Sequence, residues 1–488
     1  MSNRLGRRPF LSILGLTGAG AFGGTAMGQS TDESSARSQD LGELKTTDVS
    51  ERDLKVQYDG REPNADWREE AKERIEEVRK ALLTVEVVDT NGDTIEGVDV
   101  DVAMQDHEFD FGSKVDFSTI LDINRPDGRT DADIRNYRQY TQDMFNKGTI
   151  PAFVPWVLTW GEEVGGPGTV ARLTANWLHD HGLKAKAHTL LWFWGDRAGP
   201  EEVLAIEDKE ELQQEFTDHV RTETSTFKDN IDTWDVINHP IKLNSVWRNQ
   251  LNSDPAAWKE FLDAAREGDP DGEMLINEAA FRNDAQTAEI RGKYHDMVRY
   301  LKDNDADLDG IGFMGHFDPK SIVPPEEALD RLDEFARYGF DIRFTEYDFT
   351  DENLDKQLPK EQFERLQADY TRDLLIACFS HPAVTGFSNW GLWQPLHWRD
   401  RAAFYREDWS ARPHTEEWQR LVNDEWWTDD SGKTDSSGTY TTEGFKGEYE
   451  ITASYDGTSS TTNATIIDDT SWDGSVTVEL DVDGEGES

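Results

Sequence analysis

The chain has 488 residues, and 99 acidic against 50 basic side chains give it a net charge of −49. Nucleic acids and anionic membranes are polyanions, so this charge argues against both as partners, whereas it is typical of proteins that work in concentrated salt. With 17 Trp and 23 Phe, the chain is too aromatic for a solvated acidic coil and long enough for one large domain with smaller additions.

The first 28 residues have the pattern of an export signal. Arg7 and Arg8 precede a short, Gly-rich apolar stretch that ends in small residues at 26–28. We expect a twin-arginine signal peptide over residues 1–28, secretion of the folded protein, and no membrane association of the mature form. The alternative is a membrane anchor, for which the stretch is short, because a span needs about 20 apolar residues.

Residues 29–65 are polar, acidic and rich in Ser and Thr, which predicts a disordered leader. The next segment, 66–108, is predicted to be a helix, from about Ala65 to Leu83, followed by a β extension. Apolar and polar residues alternate on both sides of Asn91-Gly92, a dipeptide that favours a tight turn. This pattern predicts a β hairpin.

From 109 to 427 the chain alternates short apolar segments with long amphipathic ones, as parallel strands joined by helices do. The predicted strands are Phe109–Gly112, Gly148–Phe153, Ala185–Leu191, Thr233–Ile237, Met274–Asn277, Gly310–Met314, Asp341–Thr345 and Val384–Asn389. Eight such units predict an α/β fold, a (β/α)₈ TIM barrel. Several strands end in polar or aromatic residues, and a barrel of this kind carries its chemistry at the carboxyl ends of its strands.

The tail, residues 428–488, is predicted to be a small β module with short strands and turns. It is either a stabilising appendage or a separate carbohydrate-binding domain. Asn463 lies in an N-glycosylation sequon. The single cysteine, Cys378, lies in an apolar run, so internal disulfides and a cysteine zinc site are excluded.

The strand-end motifs, taken together, resemble glycoside hydrolase family 10, the xylanase family. The runs that carry the resemblance are Phe109–Gly112, Gly182–Trp192, Trp234–Asn238, Ile276–Glu278, Gly310–Phe317, Thr345–Asp348 and Asn389–Trp393. Members are retaining endo-β-1,4-xylanases without a cofactor or a catalytic metal. The resemblance therefore implies the same barrel and a polysaccharide substrate here, and the acidic net charge indicates a salt-adapted member of haloarchaeal type.

The resemblance assigns a role to individual residues of this chain. Glu346 matches the nucleophile, which attacks the sugar's anomeric carbon as a carboxylate. His316 matches the histidine that hydrogen-bonds the nucleophile, and Asn238 matches the residue that binds the sugar 2-hydroxyl. The residues that match the lining of the sugar-binding cleft are His188, Trp192, Trp390 and Trp393.

The chain departs from the family pattern at His239, where the family has its glutamic acid/base. Histidine titrates in a suitable range, but its protonated form is a cation beside a developing oxocarbenium ion. Three interpretations stay open: His239 acts as the acid/base, Glu278 from the neighbouring strand replaces it, or hydrolysis is lost.

A second departure covers Pro151–Trp160, where the family has polar residues that bind the central sugar and this chain has mostly apolar ones. This difference puts xylose-specific recognition there in question. The acidic loop Asp303–Gly310 lacks the glycine that a calcium loop requires at its sixth position, so we expect no metal site.

These observations predict a secreted, monomeric hydrolase that cleaves β-1,4-linked xylan or a related plant polysaccharide with retention. The rival hypothesis is a carbohydrate-binding protein whose active site on the same barrel is catalytically impaired.

Overall fold

The computed structural model describes residues 57–123, 128–151, 168–467 and 474–482, and only the backbone of Asp196. The predicted signal peptide and residues 29–56 of the predicted leader lie outside these ranges. Residues Ala152–Trp160, which make up most of the second departure from the family pattern, lie outside them as well. The predictions for all three segments therefore stay predictions.

Eight parallel strands close into a barrel, which confirms the predicted (β/α)₈ fold. The strands are β3 (Asp110–Lys114), β4 (Lys147–Ile150), β5 (Lys184–Leu191), β6 (Thr233–Asn238), β7 (Glu273–Glu278), β8 (Gly310–Phe317), β9 (Asp341–Phe349) and β10 (Val384–Asn389). Their order around the closed sheet is β10-β3-β4-β5-β6-β7-β8-β9. Nearly all of their residues are buried, as expected for strands that are covered on both faces.

Helices cover the outside of the barrel. They are α2 (Phe117–Ile120), α3 (Asp131–Met144), α4 (Thr169–Asp180), α5 (Glu201–Leu204), α6 (Lys209–Phe227), α7 (Ser245–Asn249), α8 (Ala256–Gly268), α9 (Ala285–Asp303), α10 (Pro325–Ala336), α11 (Lys360–Ser380) and α12 (Pro413–Arg420). Acidic or hydroxyl side chains fix where several of them begin: Thr130 forms a capping box on α3, and Asp208 and Asp284 accept backbone N–H groups of α6 and α9. None of the described helices is long and apolar enough to cross a membrane.

A charged network lies at the opposite end of the barrel from the predicted site, where the strands begin. Asp110 accepts hydrogen bonds from Lys147 at 2.7 Å and Lys184 at 2.8 Å and pairs with Arg343, which also donates to Glu273 at 2.8 Å. These residues come from five different barrel strands, β3, β4, β5, β7 and β9, so their contacts link the strands at the end of the barrel where they begin. Because these charges are paired with one another, we assign the network to the fold rather than to a ligand.

The predicted hairpin is wrong, because its two strands pair with the chain's end instead of with each other. Strand β1 (Lys80–Asp89) lies in a sheet of order β12-β1-β15, and β2 (Asp99–His107) lies in a sheet of order β11-β2-β13-β14. The C-terminal strands are β11 (Asp429–Lys433), β12 (Thr439–Phe445), β13 (Gly447–Tyr455), β14 (Thr458–Ile466) and β15 (Ser475–Leu480). The extra strands at the C-terminus are thus present as expected, but they and the β extension form one unit.

The turn at Asn91-Gly92 does form, since the Gly92 N–H donates to Asp89 O at 3.0 Å. The pairing beyond it stops at an isolated bridge between Val88 and Thr94. Strands β1 and β2 both bury alternate residues in the same apolar core. Each of them can therefore supply the buried face of a different sheet. The alternating pattern identified the strands correctly, but it does not specify their partners.

The helix α1 (Asp66–Arg79) is shorter than predicted, because strand β1 begins at Lys80. Residues 57–65, predicted as the end of the leader, are packed against α11. Tyr58 donates to Asp373 at 2.8 Å, and Arg61 is 4% exposed and donates to Asp369 at 2.8 Å. Since these two side chains are buried and paired, the ordered part of the chain begins before the predicted boundary.

Candidate active site at the barrel mouth

Six of the predicted site residues come together where the strands end. Glu346 lies in β9, His316 in β8, Glu278 in β7, Asn238 in β6 and His188 in β5, and Trp390 follows β10 directly. The carboxyl ends of parallel strands meet at one mouth, so residues up to 202 positions apart in the chain, His188 and Trp390, become neighbours.

Glu346 is a buried acid at this mouth, and both of its carboxylate oxygens accept hydrogen bonds. The residue as a whole is 5% exposed. Its Oε1 accepts a hydrogen bond from Asn277 Nδ2 at 2.7 Å, and its Oε2 accepts one from His316 Nε2 at 3.0 Å. His188 Nε2 lies 3.9 Å from Oε1. Burial raises the pKa of Glu346, but the His316 hydrogen bond and the charges of His188, His316 and His239 outweigh it and bring the pKa to about 2. Glu346 is therefore an ionised carboxylate at neutral pH.

His316 connects Glu346 to a second acid. Its Nδ1 lies 2.9 Å from Asp348 Oδ2, and Asp348 is itself held by Arg399 at 2.6 Å and by the Trp398 indole N–H at 3.0 Å. Burial lowers the pKa of His316, but the two carboxylates prevail and raise the pKa to about 9. His316 is thus a cation that donates both N–H groups, and it fixes the orientation and the charge of Glu346.

Two asparagines link the strands beneath Glu346. Asn277 Nδ2 also lies 3.2 Å from Asn238 Oδ1, and Thr345 donates to Asn277 Oδ1 at 2.6 Å. Asn277 belongs to the motif Ile276–Glu278, but the resemblance assigns it no role in the site. Its polar side chain at a strand end was the available signal.

His239 follows β6 directly and has a left-handed backbone, with φ 50°. Its Nδ1 lies 3.1 Å from Glu278 Oε1, its side chain is 13% exposed, and its backbone N–H donates to Asn277 O at 2.8 Å. A carboxylate acceptor at Nδ1 selects the tautomer that carries its proton there. The second ring nitrogen, Nε2, is left to accept or donate a proton elsewhere.

Glu278 does not have the environment of a proton donor. It is fully buried, and its two oxygens accept backbone N–H groups from Ala279 at 2.7 Å, Ile241 at 2.8 Å and Lys242 at 3.1 Å, besides the His239 contact. Burial raises the pKa of Glu278, but the His239 interaction and these backbone donors lower it below its usual range. The geometry therefore favours His239 over Glu278 as the group that faces a substrate.

The aromatic residues at the mouth differ from the predicted set in one position. Trp390 packs edge-on against His188 at 5.1 Å. Trp393, predicted to line the cleft, is 4% exposed and stacked on Trp409 at 4.6 Å, so its ring is used in packing. The open ring on this side is Trp398, which is 59% exposed and lies 4.9 Å from the His316 ring. As a single Trp in a loop, Trp398 gave no signal in the sequence.

Among the residues that the structure describes, no group of three or more His, Cys, Asp or Glu is arranged to hold a metal ion. The polar groups at the mouth instead hydrogen-bond one another. The site as built holds an anion, Glu346, and a histidine, His239, on facing parts of the rim.

The comparisons with known proteins agree with this geometry. The model of glycosyl hydrolase family 10 matches residues 169–418, which is half of the chain. The chain belongs to this family. Family 10 thus accounts for the barrel and for its strand-end motifs.

Two curated relatives are each 27% identical to this chain over the aligned residues. An anti-sigma-I factor, RsgI6, from Acetivibrio thermocellus is 27% identical over 402 residues, which cover 80% of this chain and 47% of that protein. An endo-1,4-beta-xylanase B from Thermotoga neapolitana is 27% identical over 222 residues, or 42% of this chain and 60% of that protein. The chain thus spans about half of the first relative's length and three fifths of the second's.

Solved structures support the fold. Xylanase 10B from Thermotoga petrophila, in complex with xylobiose, has a TM-score of 0.54 at 19% identity and covers 65% of this chain and 95% of its own. Native xylanase 10B from Thermotoga maritima has the same TM-score and identity, with 73% and 98% covered. At this level of identity the match concerns the barrel alone.

Proposed function

We propose that this family 10 protein is a retaining glycoside hydrolase of β-1,4-linked xylan or a related plant polysaccharide. Glu346 is the nucleophile and His239 the acid/base. The observation that carries the proposal is the buried, ionised Glu346, oriented by Asn277 and His316 at the barrel mouth. A carboxylate held in this way is suited to attack an anomeric carbon.

The proposed reaction has two steps. In the first, Glu346 bonds to the anomeric carbon while protonated His239 gives its Nε2 proton to the leaving oxygen, and the glycosidic bond breaks. In the second, neutral His239 takes a proton from water, the resulting hydroxide attacks the same carbon, and Glu346 leaves as a carboxylate. Both enzyme groups return to their starting states.

The positive charge of His239 is the main difference from a carboxylic acid. In the first step an imidazolium lies beside a sugar that is itself becoming positive, which opposes the reaction. Glu278, 3.1 Å from His239 Nδ1, places a fixed negative charge behind the ring, and Glu346 supplies a second across the mouth. These two carboxylates offset the charge and make a histidine workable at this position.

Two measurements in molar NaCl test the assignment: xylan hydrolysis, and release of aryl alcohol from an aryl β-xyloside with a good leaving group. Such a leaving group needs little acid assistance. We expect His239→Ala to lose xylan hydrolysis, to keep the aryl burst, and to form the β-xylosyl azide when azide replaces water. The proposal is wrong if the wild-type chain releases no aryl alcohol.

A carbohydrate-binding protein with an impaired active site is the second candidate. Two observations favour it: the position of the acid/base holds His239, and one relative of 27% identity is an anti-sigma-I factor. A pure binder would retain xylan without cleaving it. Glu346→Gln would then leave its affinity for xylan unchanged, and the wild type would show no aryl burst.

We also propose that the protein is exported through the twin-arginine route and acts as a monomer in concentrated salt. The paired Arg7 and Arg8 support export, and the net charge of −49 supports work in concentrated salt. Changing both arginines to lysine should keep the chain inside the cell. Export of that variant at the wild-type level would contradict the proposal.

A further inference from the structure

A cluster of two tryptophans and an arginine lies beside His239 and has no part in the reaction proposed above. Trp192 and Trp194 follow strand β5, and their ring centroids are 5.4 Å apart. The Arg197 guanidinium lies 4.9 Å from the Trp192 ring and 5.1 Å from the Trp194 ring. We name these three residues the Trp192–Arg197 platform.

The platform lies across the mouth from the nucleophile. In the closed sheet, three strands separate β5 from β9, which carries Glu346, in either direction. The Trp192 ring lies 6.0 Å from the His239 ring, with 33° between their planes. If His239 protonates the leaving group, as proposed, the sugar that leaves must pass over this side of the rim.

The platform is open to solvent. The Trp194 side chain is 43% exposed. Among the described tryptophans, only Trp398 on the nucleophile side is also this exposed. Arg197 is also exposed. An aromatic surface of this kind contacts the apolar face of a sugar, and an exposed tryptophan beside a reactive cleft favours that use over packing.

Arg197 brings a positive charge to this side of the rim. The chain as a whole has about twice as many acidic as basic residues, 99 against 50. Within the described ranges Arg197 has no ion pair, and both of its side-chain contacts are with tryptophan faces. No described residue accepts a hydrogen bond from its side-chain N–H groups, and these groups suit a ligand carboxylate in the bidentate geometry that guanidinium favours.

We propose that the Trp192–Arg197 platform is a subsite for an acidic sugar, a uronic acid carried by the polysaccharide on the leaving-group side of the cleft. This inference rests on the proposed function for the direction of the substrate. Direct contact is essential to it, because at molar salt the Debye length is about 3 Å and long-range attraction is screened.

Binding of two oligosaccharides tests the proposal: a neutral xylooligosaccharide, and the same chain with one glucuronic acid branch. Affinities are measured by tryptophan fluorescence in molar NaCl, on the full chain with Glu346→Gln so that nothing is cleaved. We expect the acidic oligosaccharide to bind about tenfold more tightly. Arg197→Gln should remove this preference and leave the neutral affinity unchanged.

Arg299→Gln is the matched control, since it removes one exposed positive charge from the outer helix α9 and should keep the preference. Arg197→Lys retains the charge but not the bidentate geometry, and we expect it to keep only part of the preference. Equal affinity for the two oligosaccharides, a preference that survives Arg197→Gln, or binding of neither would overturn the inference.

The aryl xyloside assay separates this inference from the proposed function, because the aryl group does not carry a uronic acid. Aryl release without any acidic preference would reject the subsite and leave the hydrolase intact. An acidic preference that depends on Arg197, without aryl release, would reject the hydrolase and keep the subsite.

Discussion

The two sides of the barrel mouth hold their ionisable groups in different ways. On the nucleophile side, Glu346, His316 and Asp348 form a continuous chain of charged hydrogen bonds that Asn277 and Arg399 complete. On the opposite side, His239 lies against the buried Glu278, and the open surface consists of aromatic rings and Arg197. The first arrangement fixes one ionisation state, whereas the second leaves one nitrogen of a histidine available for proton transfer.

This difference shows which parts of the chemistry can vary independently. A nucleophile must stay ionised, so opposite charges close to it are useful. An acid/base must change its protonation state in each cycle, so it needs one fixed partner and one free atom. His239 with Glu278 meets that requirement by means of an imidazole in place of a carboxylic acid.

The largest expected effect is at Glu346. We predict that Glu346→Gln lowers the rate of aryl xyloside cleavage on the order of 10⁴-fold or more, because the amide cannot form the glycosyl intermediate. The control is Glu361→Gln on the exposed start of α11, which removes the same charge from a side chain that contacts none of the site residues and should keep wild-type rates. A Glu346→Gln variant within tenfold of wild type would assign the nucleophile elsewhere.

The next effect concerns the acid/base side. We predict that His239→Glu raises the rate of xylan hydrolysis about a hundredfold, since a protonated glutamic acid is neutral beside the oxocarbenium ion. The buried carboxylate of Glu278 next to it would raise the pKa of the new acid, which suits a proton donor. Aryl xyloside cleavage should change far less.

An unchanged rate on xylan would contradict this prediction. The limiting feature would then be the altered stretch Pro151–Trp160, whose apolar residues replace the family's sugar-binding groups. Measuring KM and kcat separately distinguishes the two cases, because lost sugar binding raises KM while a poor acid lowers kcat.

The sequence predicted the barrel, and it indicated which strand ends carry polar residues, for a physical reason. Buried parallel strands are short apolar runs, and a polar residue at the end of such a run, as in Glu346 or His316, stands out. It did not predict that Trp393 would be packed and Trp398 open, because a loop's path decides which ring faces solvent. Likewise, the sequence placed His239 and Glu278 at adjacent strand ends, but it did not indicate that Glu278 accepts three backbone N–H groups.

Glu278 provides a smaller effect that separates support from catalysis. We predict that Glu278→Gln lowers the free energy of unfolding by about 1.5–3 kcal/mol, because a carboxylate that accepts four donors becomes an amide with one acceptor oxygen. Xylan hydrolysis should also fall, while the aryl burst persists. Urea unfolding in molar salt measures the first change, with Glu361→Gln again as the control for lost charge. Wild-type stability would contradict the buried, fully bonded position of Glu278.

The smallest effect is the pH dependence of stability that the Glu346–His316 pair produces. The pKa of His316 is raised from 6.5 to about 9, so its contribution is complete below pH 6.5 and is lost as the pH rises through 9. The pKa of Glu346 is lowered from 4.5 to about 2, so its contribution is complete above pH 4.5 and is lost as the pH falls through 2. The pair therefore stabilises the fold most between pH 4.5 and 6.5.

The alkaline side gives the cleaner measurement, because 99 acidic residues all titrate on the acidic side. We predict that the difference in unfolding free energy between wild type and His316→Gln shrinks by about 1–2 kcal/mol between pH 6.5 and 9.5. His295→Gln is the control, since burial lowers the pKa of His295 and its effect belongs below pH 6.5. A difference that stays constant up to pH 9.5 would mean that His316 is neutral in the folded protein. Glu346 would then lack the cation that keeps it ionised, and the contrast between the two sides of the mouth would disappear.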